Sequence, residues 1–378
     1  MMRRLRIENF KAFRGQSLEL APLTLLTGLN GSGKSSVLQA LLVLRQSFDQ
    51  GLLQMGKLAL DGSLVRLGTF QDALFESASD ERLAFELTED IDGQVSRQRW
   101  DFTFGSRDDR VSAESANSQP TIEPRFVFGP RFRFLSAERI GPRINYGIPD
   151  TELSIAGLGT QGEWTAQYLA VNKDRPVVLH ACTHPGAVSK RLLSQVEAWM
   201  GEFSPGLRIE VEDVPMRDAV SLRYKFEERR GVSNSFRATN VGFGISYTLP
   251  VLVAILSAEP GDVVLLEAPE GHLHPRGQSR LGELLARAAS SGLQLVVETH
   301  SDHVMNGVRV AVHQGIVCAD VAEFLFFQWD PKKQDAATTV RKITLDADGR
   351  LEDWPDGFFD EMDRNLEILL TTRPPSHE

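Results

Sequence analysis

Gly28-Leu29-Asn30-Gly31-Ser32-Gly33-Lys34-Ser35 fits the phosphate-loop pattern G-x-x-x-x-G-K-[ST], and its flanks decide the fold. A strand-like apolar run, residues 23–27, enters the loop, and a helix-like run, residues 37–44, leaves it. In such a loop successive backbone N–H groups point inward, and the helix that follows adds its positive N-terminal end. Polyphosphate is then held largely by backbone. Asn30, Gly31, Ser32, Gly33, Lys34, Ser35 and Ser36 are the expected nucleotide-binding residues. Lys34 is expected to reach the terminal phosphates and Ser35 to offer its hydroxyl to Mg²⁺. The chain is expected to bind a nucleoside triphosphate, ATP, with Mg²⁺.

A second stretch describes the other side of the same site. Val263-Val264-Leu265-Leu266-Glu267 is an apolar strand ending in a carboxylate, and Ala268-Pro269-Glu270-Gly271-His272-Leu273-His274-Pro275 follows it. The Glu267 strand is expected beside the phosphate-loop strand, where the carboxylate can hold Mg²⁺ directly or through water. His300, in Glu298-Thr299-His300-Ser301-Asp302-His303, follows another apolar strand and should reach the same sheet edge. Taken singly, a strand-end acid or a lone histidine there is an ordinary structural feature. His272, His274 and His300 with nearby acids also raise zinc, and His-x-His spacing allows it. Neither a cysteine pair nor H-E-x-x-H supports it.

The bulk composition narrows the class. The 378 residues are 42% hydrophobic and 24% charged, so a large core with room for one elaborate α/β domain or two domains is expected. A net charge of −10 argues against a surface coated for nucleic acid, although a local patch stays open. Two cysteines, Cys182 and Cys318, fit a reducing compartment. The first ten residues lack the apolar core of a signal peptide. Residues 241–257 are greasy but carry Gly242, Gly244 and Pro250, which reads as a buried helix rather than a membrane span. The cytoplasm is the expected location, with no membrane partner.

Periodicity orders the rest. Strands are expected at residues 3–8, 17–20, 23–27, 83–87, 100–104 and 132–135, with an exposed polar loop at 106–120. Helical periods run through 161–201, and strands follow at 207–211 and 220–226. The 263–267 strand, a helix at 276–289 and a strand at 294–298 alternate as in a parallel sheet. Two strands, 323–327 and 338–345, and a helix at 358–370 close the chain. No heptad run is long enough for an extended coiled coil.

With these pieces assembled the chain resembles the ABC-type ATPase heads of the SMC, RecF and OLD group, and looks closest to compact bacterial AAA-type ATPases of that group without a long coiled coil. Ile7-Glu8-Asn9-Phe10-Lys11-Ala12-Phe13 is similar to their first strand. The Glu267 to Pro275 stretch resembles their Walker B and D-loop, and Glu298-Thr299-His300-Ser301 their switch-histidine region. The resemblance covers residues 1 to about 312 and implies an α/β fold, a P-loop NTPase head with a mixed sheet core, an N-terminal antiparallel β-subdomain and an inserted helical/β lobe. The implied division is 1–160 for the first ATPase lobe, 161–245 for the insert, 246–315 for the second ATPase lobe and 316–378 for a tail of its own. It also implies that a signature segment from one subunit caps the nucleotide of another. Thr239-Asn240-Val241-Gly242-Phe243-Gly244 fills that place, so Asn240, Gly242 and Gly244 are expected to act in trans in an ATP-dependent homodimer. A Gly-rich turn before a buried helix is the plain alternative. Gln71 is the candidate Q-loop ligand, so the expected metal set is Ser35, Glu267 and Gln71.

One departure bears on catalysis. Where the resembled heads carry a water-polarising glutamate after the Walker B acid, this chain has Ala268. Glu270 is the nearest spare carboxylate, so Glu270, Glu267 and His300 are the expected catalytic residues of a slow ATPase. The leading reading is a switch that drives a protein effector encoded nearby or a DNA transaction, in a phage-defence setting by analogy. A nuclease like the full OLD proteins is a second reading, with Asp346-Ala347-Asp348-Gly349 as its weak support; a turn explains that stretch better. A non-hydrolysing ATP-binding scaffold is a third. Two basic clusters, Arg125, Arg131, Arg133, Arg139 and Arg143, and Arg223, Lys225, Arg229, Arg230 and Arg237, leave DNA contact open against solvated strand faces.

Overall fold

The computed structural model describes residues 1–103, 111–112, 125–148, 157–214, 219–229, 231–330 and 337–371. The chain opens with the antiparallel pair β1 (Met2–Phe10) and β2 (Phe13–Glu19), then β3 (Leu23–Gly28) and α1 (Lys34–Asp49). Next come β4 (Lys57–Leu58), α2 (Phe70–Ala73), β5 (Arg82–Ile91), β6 (Gln94–Thr103) and β7 (Val111–Ser112). These strands, without β3, make an antiparallel sheet in the order β2-β1-β5-β6-β7-β4. Of the polar stretch 106–120, expected as a loop, only Val111–Ser112 is described, and it is a strand; the remainder lies outside the described residues.

A short strand β8 (Arg133–Leu135) and β9 (Tyr146–Gly147) lead into α3 (Thr165–Asn172) and α4 (Leu192–Phe203). The helical stretch expected over 161–201 is therefore two helices. Pro176 and the Pro185-Gly186 pair lie between them and break the ladder that one helix would need. After β10 (Leu207–Val214), β11 (Ala219–Glu228), β12 (Gly231–Val232) and β13 (Phe236–Arg237) comes α5 (Phe243–Leu256). As expected from its greasy sequence α5 is a core helix, with Leu249 and residues 251–256 buried. Among the described residues no helix is long and apolar enough to cross a membrane.

The central sheet is completed by β14 (Val263–Glu267), α6 (Pro275–Ser290), β15 (Gln294–Glu298), α7 (Asp302–His313), β16 (Ala322–Gln328) and β17 (Thr339–Ile343), before the final α8 (Glu361–Leu370). Its order is β17-β16-β3-β15-β14-β8, parallel except for the β16–β17 pair. This corrects one expectation. The Glu267 strand is not next to the phosphate-loop strand, because β15 lies between them. The tail is also part of the sheet, since β16 pairs directly with β3.

These strands read as unbroken apolar runs because both faces are covered. Val264 and Leu266 face a core shared with α5 and α6, while Val263 and Leu265 face a second core shared with α1 and the antiparallel sheet. Each such side chain contributes roughly 1.5–3 kcal/mol by leaving water. Polar groups are thereby pushed to the strand ends, where Gly28, Glu267 and Glu298 emerge along one edge.

Candidate nucleotide-binding site

The turn from β3 into α1 sets up the site. Gly33, directly before the helix, has φ +95°, and a Cβ there would come 2.7 Å from the Ala12 methyl, so a side chain is excluded by conformation and by space. The loop is braced from the tail: Thr338 Oγ1 donates to the Ser32 carbonyl at 2.9 Å, and its N–H donates to the Ala12 carbonyl at 3.1 Å. Lys34 is buried and its ammonium donates to the Gly28 and Leu29 carbonyls at 3.0 and 2.8 Å. Burial holds its pKa below the usual lysine range, with Glu298 acting in the other direction.

A cleft of about 570 Å³ opens over this loop, a size suited to a nucleotide. Asn30, Gly31, Gly33, Lys34, Ser35 and Ser36 line it. Ser32 is held beneath, its hydroxyl buried without a partner. Two aromatic residues that the sequence reading did not single out, Phe75 and Trp329, line the same cleft.

The carboxylate that meets the phosphate loop is Glu298. Ser35 Oγ donates to Glu298 Oε1 at 3.0 Å, and Lys34 Nζ lies 4.0 Å from the same oxygen. Register explains this: Glu298 is the cross-strand partner of both Glu267 on β14 and Leu26 on β3, one strand nearer the loop than Glu267. Burial raises its pKa, opposed by the Ser35 hydrogen bond and Lys34 and reinforced by Glu267 and Glu270. The signal was available in the sequence, because Glu298 ends an apolar strand as Glu267 does.

Glu267 is turned toward the loop after β8. Its Oε2 accepts the Ala137 N–H at 3.1 Å, and burial raises its pKa. It is not among the residues lining the cleft, and neither is the exposed Gln71; from α2 it is Asp72 that lines the wall. Of the expected metal set only Ser35 therefore reaches the cleft. Oxygen donors are nevertheless present there: the Ser35 hydroxyl and the Glu298 carboxylate, joined by a hydrogen bond, with Gln39 also on the cleft wall; Glu298 Oε2 and Gln39 Oε1 are both buried and without a hydrogen-bond partner. Hard oxygen donors beside a phosphate loop fit Mg²⁺.

The three histidines have separate tasks. His272 packs edge-on against Phe243 and Tyr247 with centroids 4.9 and 4.7 Å apart, and His274 Nδ1 accepts the Arg276 N–H at the start of α6. Of the three, His300 comes nearest the phosphate loop, its Nε2 4.0 Å from Glu298 Oε1, although like Glu267 it is not among the residues lining the cleft. Burial, then the Lys34 charge, holds its pKa below the usual imidazole value. Both effects favour the uncharged imidazole. Glu270 Oε1 accepts the His300 backbone N–H at 2.9 Å.

The turn after Glu267 is held by Arg139, a residue first read as part of a basic cluster. It donates to the carbonyls of Ser136, Glu267 and Ala268 at 3.0, 2.8 and 2.6 Å and lies over the Tyr247 ring. Arg133 donates inward to the Ala254 carbonyl and Ser257, and Arg131 pairs with Glu259 and Asp262. In the second cluster Lys225 pairs with Glu210 and Arg223 donates to Ser235, while Arg230 lies outside the described residues. Much of this charge is engaged within the fold. Asp346 Oδ1 likewise accepts the N–H groups of Asp348 and Arg350, which makes Asp346 to Gly349 a turn.

The signature-like residues Asn240, Gly242 and Gly244 do not line the cleft of their own chain. Asn240, Gly242 and Phe243 are exposed, whereas Gly244 is packed, because a Cβ on it would lie 2.6 Å from the His272 carbonyl oxygen.

Known proteins resemble segments of this sequence and its overall fold. A family model described as "AAA domain, putative AbiEii toxin, Type IV TA system" matches residues 180–306, and one described as "AAA domain" matches residues 4–45. One described as "Protein of unknown function (DUF3696)" matches residues 319–369. No curated protein matches the sequence. A solved SMC head bound to the C-winged helix domain of ScpA is 14% identical, covering 91% of this chain and 98% of that one, with a TM-score of 0.51. An SMC head with an extended coiled coil, bound to the C-terminal domain of ScpA derived from Pyrococcus furiosus, is 11% identical, covering 98% and 99%, with a TM-score of 0.50. At these identities the likeness is one of fold.

The fold is that of SMC heads, and the phosphate loop with the two AAA-domain matches supports an ABC-type, SMC-like P-loop head. It is a compact one: no helix among the described residues exceeds the 16 residues of α1 and α6, so the long coiled coil of the SMC proteins has no counterpart in them.

Proposed function

We propose that this chain binds ATP with Mg²⁺, hydrolyses it slowly, and works as a switch in which ATP joins two heads and hydrolysis separates them. The observation that carries this is an asymmetry. Lys34, Ser35, Glu298 and the face of His300 converge at the phosphate loop, whereas Asn240 and Gly242 stand exposed elsewhere on the same chain. A second copy would bring those groups to the terminal phosphate. ATP then contacts the closed pair more extensively than the open one, which is what a ligand-driven change requires.

Within the site, Lys34 neutralises phosphate charge, and the His300 imidazole donates to the γ-phosphate as charge develops on it. The Ser35 hydroxyl would help hold Mg²⁺, which would supply charge neutralisation to the phosphates. Ala268 leaves no carboxylate at the usual position of the water-polarising group, so turnover well under about 10 s⁻¹ is expected. The SMC heads in the solved structures carry a ScpA fragment, and by analogy this head passes its state to a protein partner; DNA is the alternative recipient. The toxin–antitoxin wording of one matched family agrees with a defence setting.

Phosphate release by the purified protein, with Lys34→Ala as the blank, tests the enzymatic part. Slow, Lys34-dependent release is expected. Equal release from the two proteins would overturn it, and tight ATP binding without release would favour the scaffold reading that Ala268 motivates.

A further inference from the structure

From β16 onward the tail reaches the nucleotide cleft at three places. β16 pairs with β3 so that Phe327 lies opposite Gly28, and a Cβ on Gly28 would collide with the Phe327 carbonyl oxygen. Thr338, just before β17, is buried and stands beside the middle of the loop. Its Oγ1 donates to the Ser32 carbonyl at 2.9 Å and its N–H to the Ala12 carbonyl at 3.1 Å. Trp329, just after β16, is 52% exposed and lines the cleft together with Thr338.

These contacts have separate physical consequences. A planar trans peptide points its C=O and the next N–H in opposite directions. Holding the Ser32 carbonyl therefore also fixes the direction of the Gly33 N–H, one of the donors that a phosphate loop turns toward polyphosphate. Ser32 is buried, so without the Thr338 hydroxyl its carbonyl would lose a donor in a place closed to water. The cleft wall also carries two aromatic rings. Phe75 is 4% exposed and has the Arg14 guanidinium over its ring at 5.7 Å, whereas Trp329 keeps about half of its surface open. Every nucleobase has a π-face that stacks on such a ring.

We infer that the tail completes the nucleotide site: Thr338 is a positioning residue that holds the phosphate loop in its binding conformation, and Trp329 is the surface on which the nucleobase stacks. The inference rests on the ATP-binding reading above. A loop held in place before the ligand arrives loses less freedom on binding, so the Thr338 contact appears as affinity for phosphate. The Trp329 contact appears as affinity for the base alone.

Two ligands separate the roles in the full chain: a ribose-labelled, non-hydrolysable ATP analogue, followed by fluorescence, and inorganic tripolyphosphate, which displaces it. Thr338→Val keeps the branched shape and removes the hydroxyl, so both ligands should weaken about tenfold. Thr338→Ser should restore both to within about threefold of the unsubstituted chain. Trp329→Ala should weaken the analogue about tenfold and leave tripolyphosphate within about twofold, while Trp329→Phe keeps most of the affinity for both. Retained tripolyphosphate binding also shows that the loop of Trp329→Ala is folded. Unchanged binding in Thr338→Val, or a loss that Thr338→Ser does not recover, would overturn the positioning role. So would analogue binding to the unsubstituted chain that tripolyphosphate does not displace. No loss in Trp329→Ala, or an equal loss of both ligands, would overturn the stacking role. An unsubstituted chain that binds neither ligand would instead overturn the ATP-head reading.

Discussion

Glu270 Oε1 accepts the backbone N–H of His300 at 2.9 Å, so the turn after β14 and the turn after β15 are tied by a single side chain. The carboxylate expected to replace the missing base is thereby engaged in placing the histidine. A glutamine keeps an acceptor oxygen at this position; an alanine does not. Glu270→Gln should retain turnover within about threefold, while Glu270→Ala should lose more, with ATP affinity little changed in both. A loss of about 10²-fold or more in Glu270→Gln would make Glu270 a general base after all.

Arg139 holds three carbonyls around the Glu267 turn, two of them belonging to Glu267 and Ala268. Ala268 sits in the left-handed region at φ +41°, a conformation that its surroundings have to maintain. Arg139→Met should remove these bonds and cost about 2–4 kcal/mol of stability, read by chemical denaturation. Turnover should fall as well. A variant of unchanged stability with weakened DNA binding would restore the basic-patch reading of this residue.

Gly242 and Gly244 should separate function from packing. A Cβ at Gly242 meets nothing within 4 Å, whereas one at Gly244 would meet the His272 carbonyl at 2.6 Å. Gly242→Glu should fold and bind ATP like the parent chain yet fail to pair, because the added acid would face phosphate across the pair. Gly244→Ala should lower stability by about 1–3 kcal/mol through overpacking of α5 against the turn after β14. Equal melting behaviour of all three proteins would remove the packing role from Gly244.

Burial holds the Glu298 carboxyl above its usual range, and Ser35 and Lys34 offset only part of that. A raised carboxyl stabilises the fold when protonated. That contribution is complete below the unfolded-state pKa and is lost as pH rises through the folded value. At neutral pH the ionised group is therefore a net cost, and Glu298→Gln should be more stable than the parent chain by about 1 kcal/mol. The difference should close as the pH is lowered into the carboxylate range. Urea denaturation at several pH values measures it. A less stable Glu298→Gln at pH 7 would mean that the attraction of Lys34 outweighs the cost of burial.

The fold was legible where periodicity and turn chemistry agree. Residues 23–36 and 263–298 carry apolar runs, glycines and a lysine whose order leaves little freedom, and the structure follows them. Strand order was not legible. Nothing within residues 263–267 reports that β15 intervenes before β3, because that adjacency is set by contacts distant in sequence. The expected adjacency of the Glu267 strand and the loop strand failed for this reason, and Glu298, quoted but unassigned, makes the contact with Ser35. Gln71 was chosen for its residue type and its place near a turn, but it is exposed outside the cleft, whereas Gln39 was hidden in a helix face. Arg139 looked like surface charge because a sequence does not show which carbonyls an arginine will reach.

The central claim is that ATP closes two of these heads on each other. Light scattering on the eluting protein, with and without a non-hydrolysable ATP analogue and Mg²⁺, measures it most directly. The account predicts a shift toward twice the 42.0 kDa chain mass with the analogue, absent in Lys34→Ala and in Gly242→Glu. A chain that binds the analogue yet keeps the same mass with and without it, at concentrations well above its affinity for nucleotide, would contradict the account.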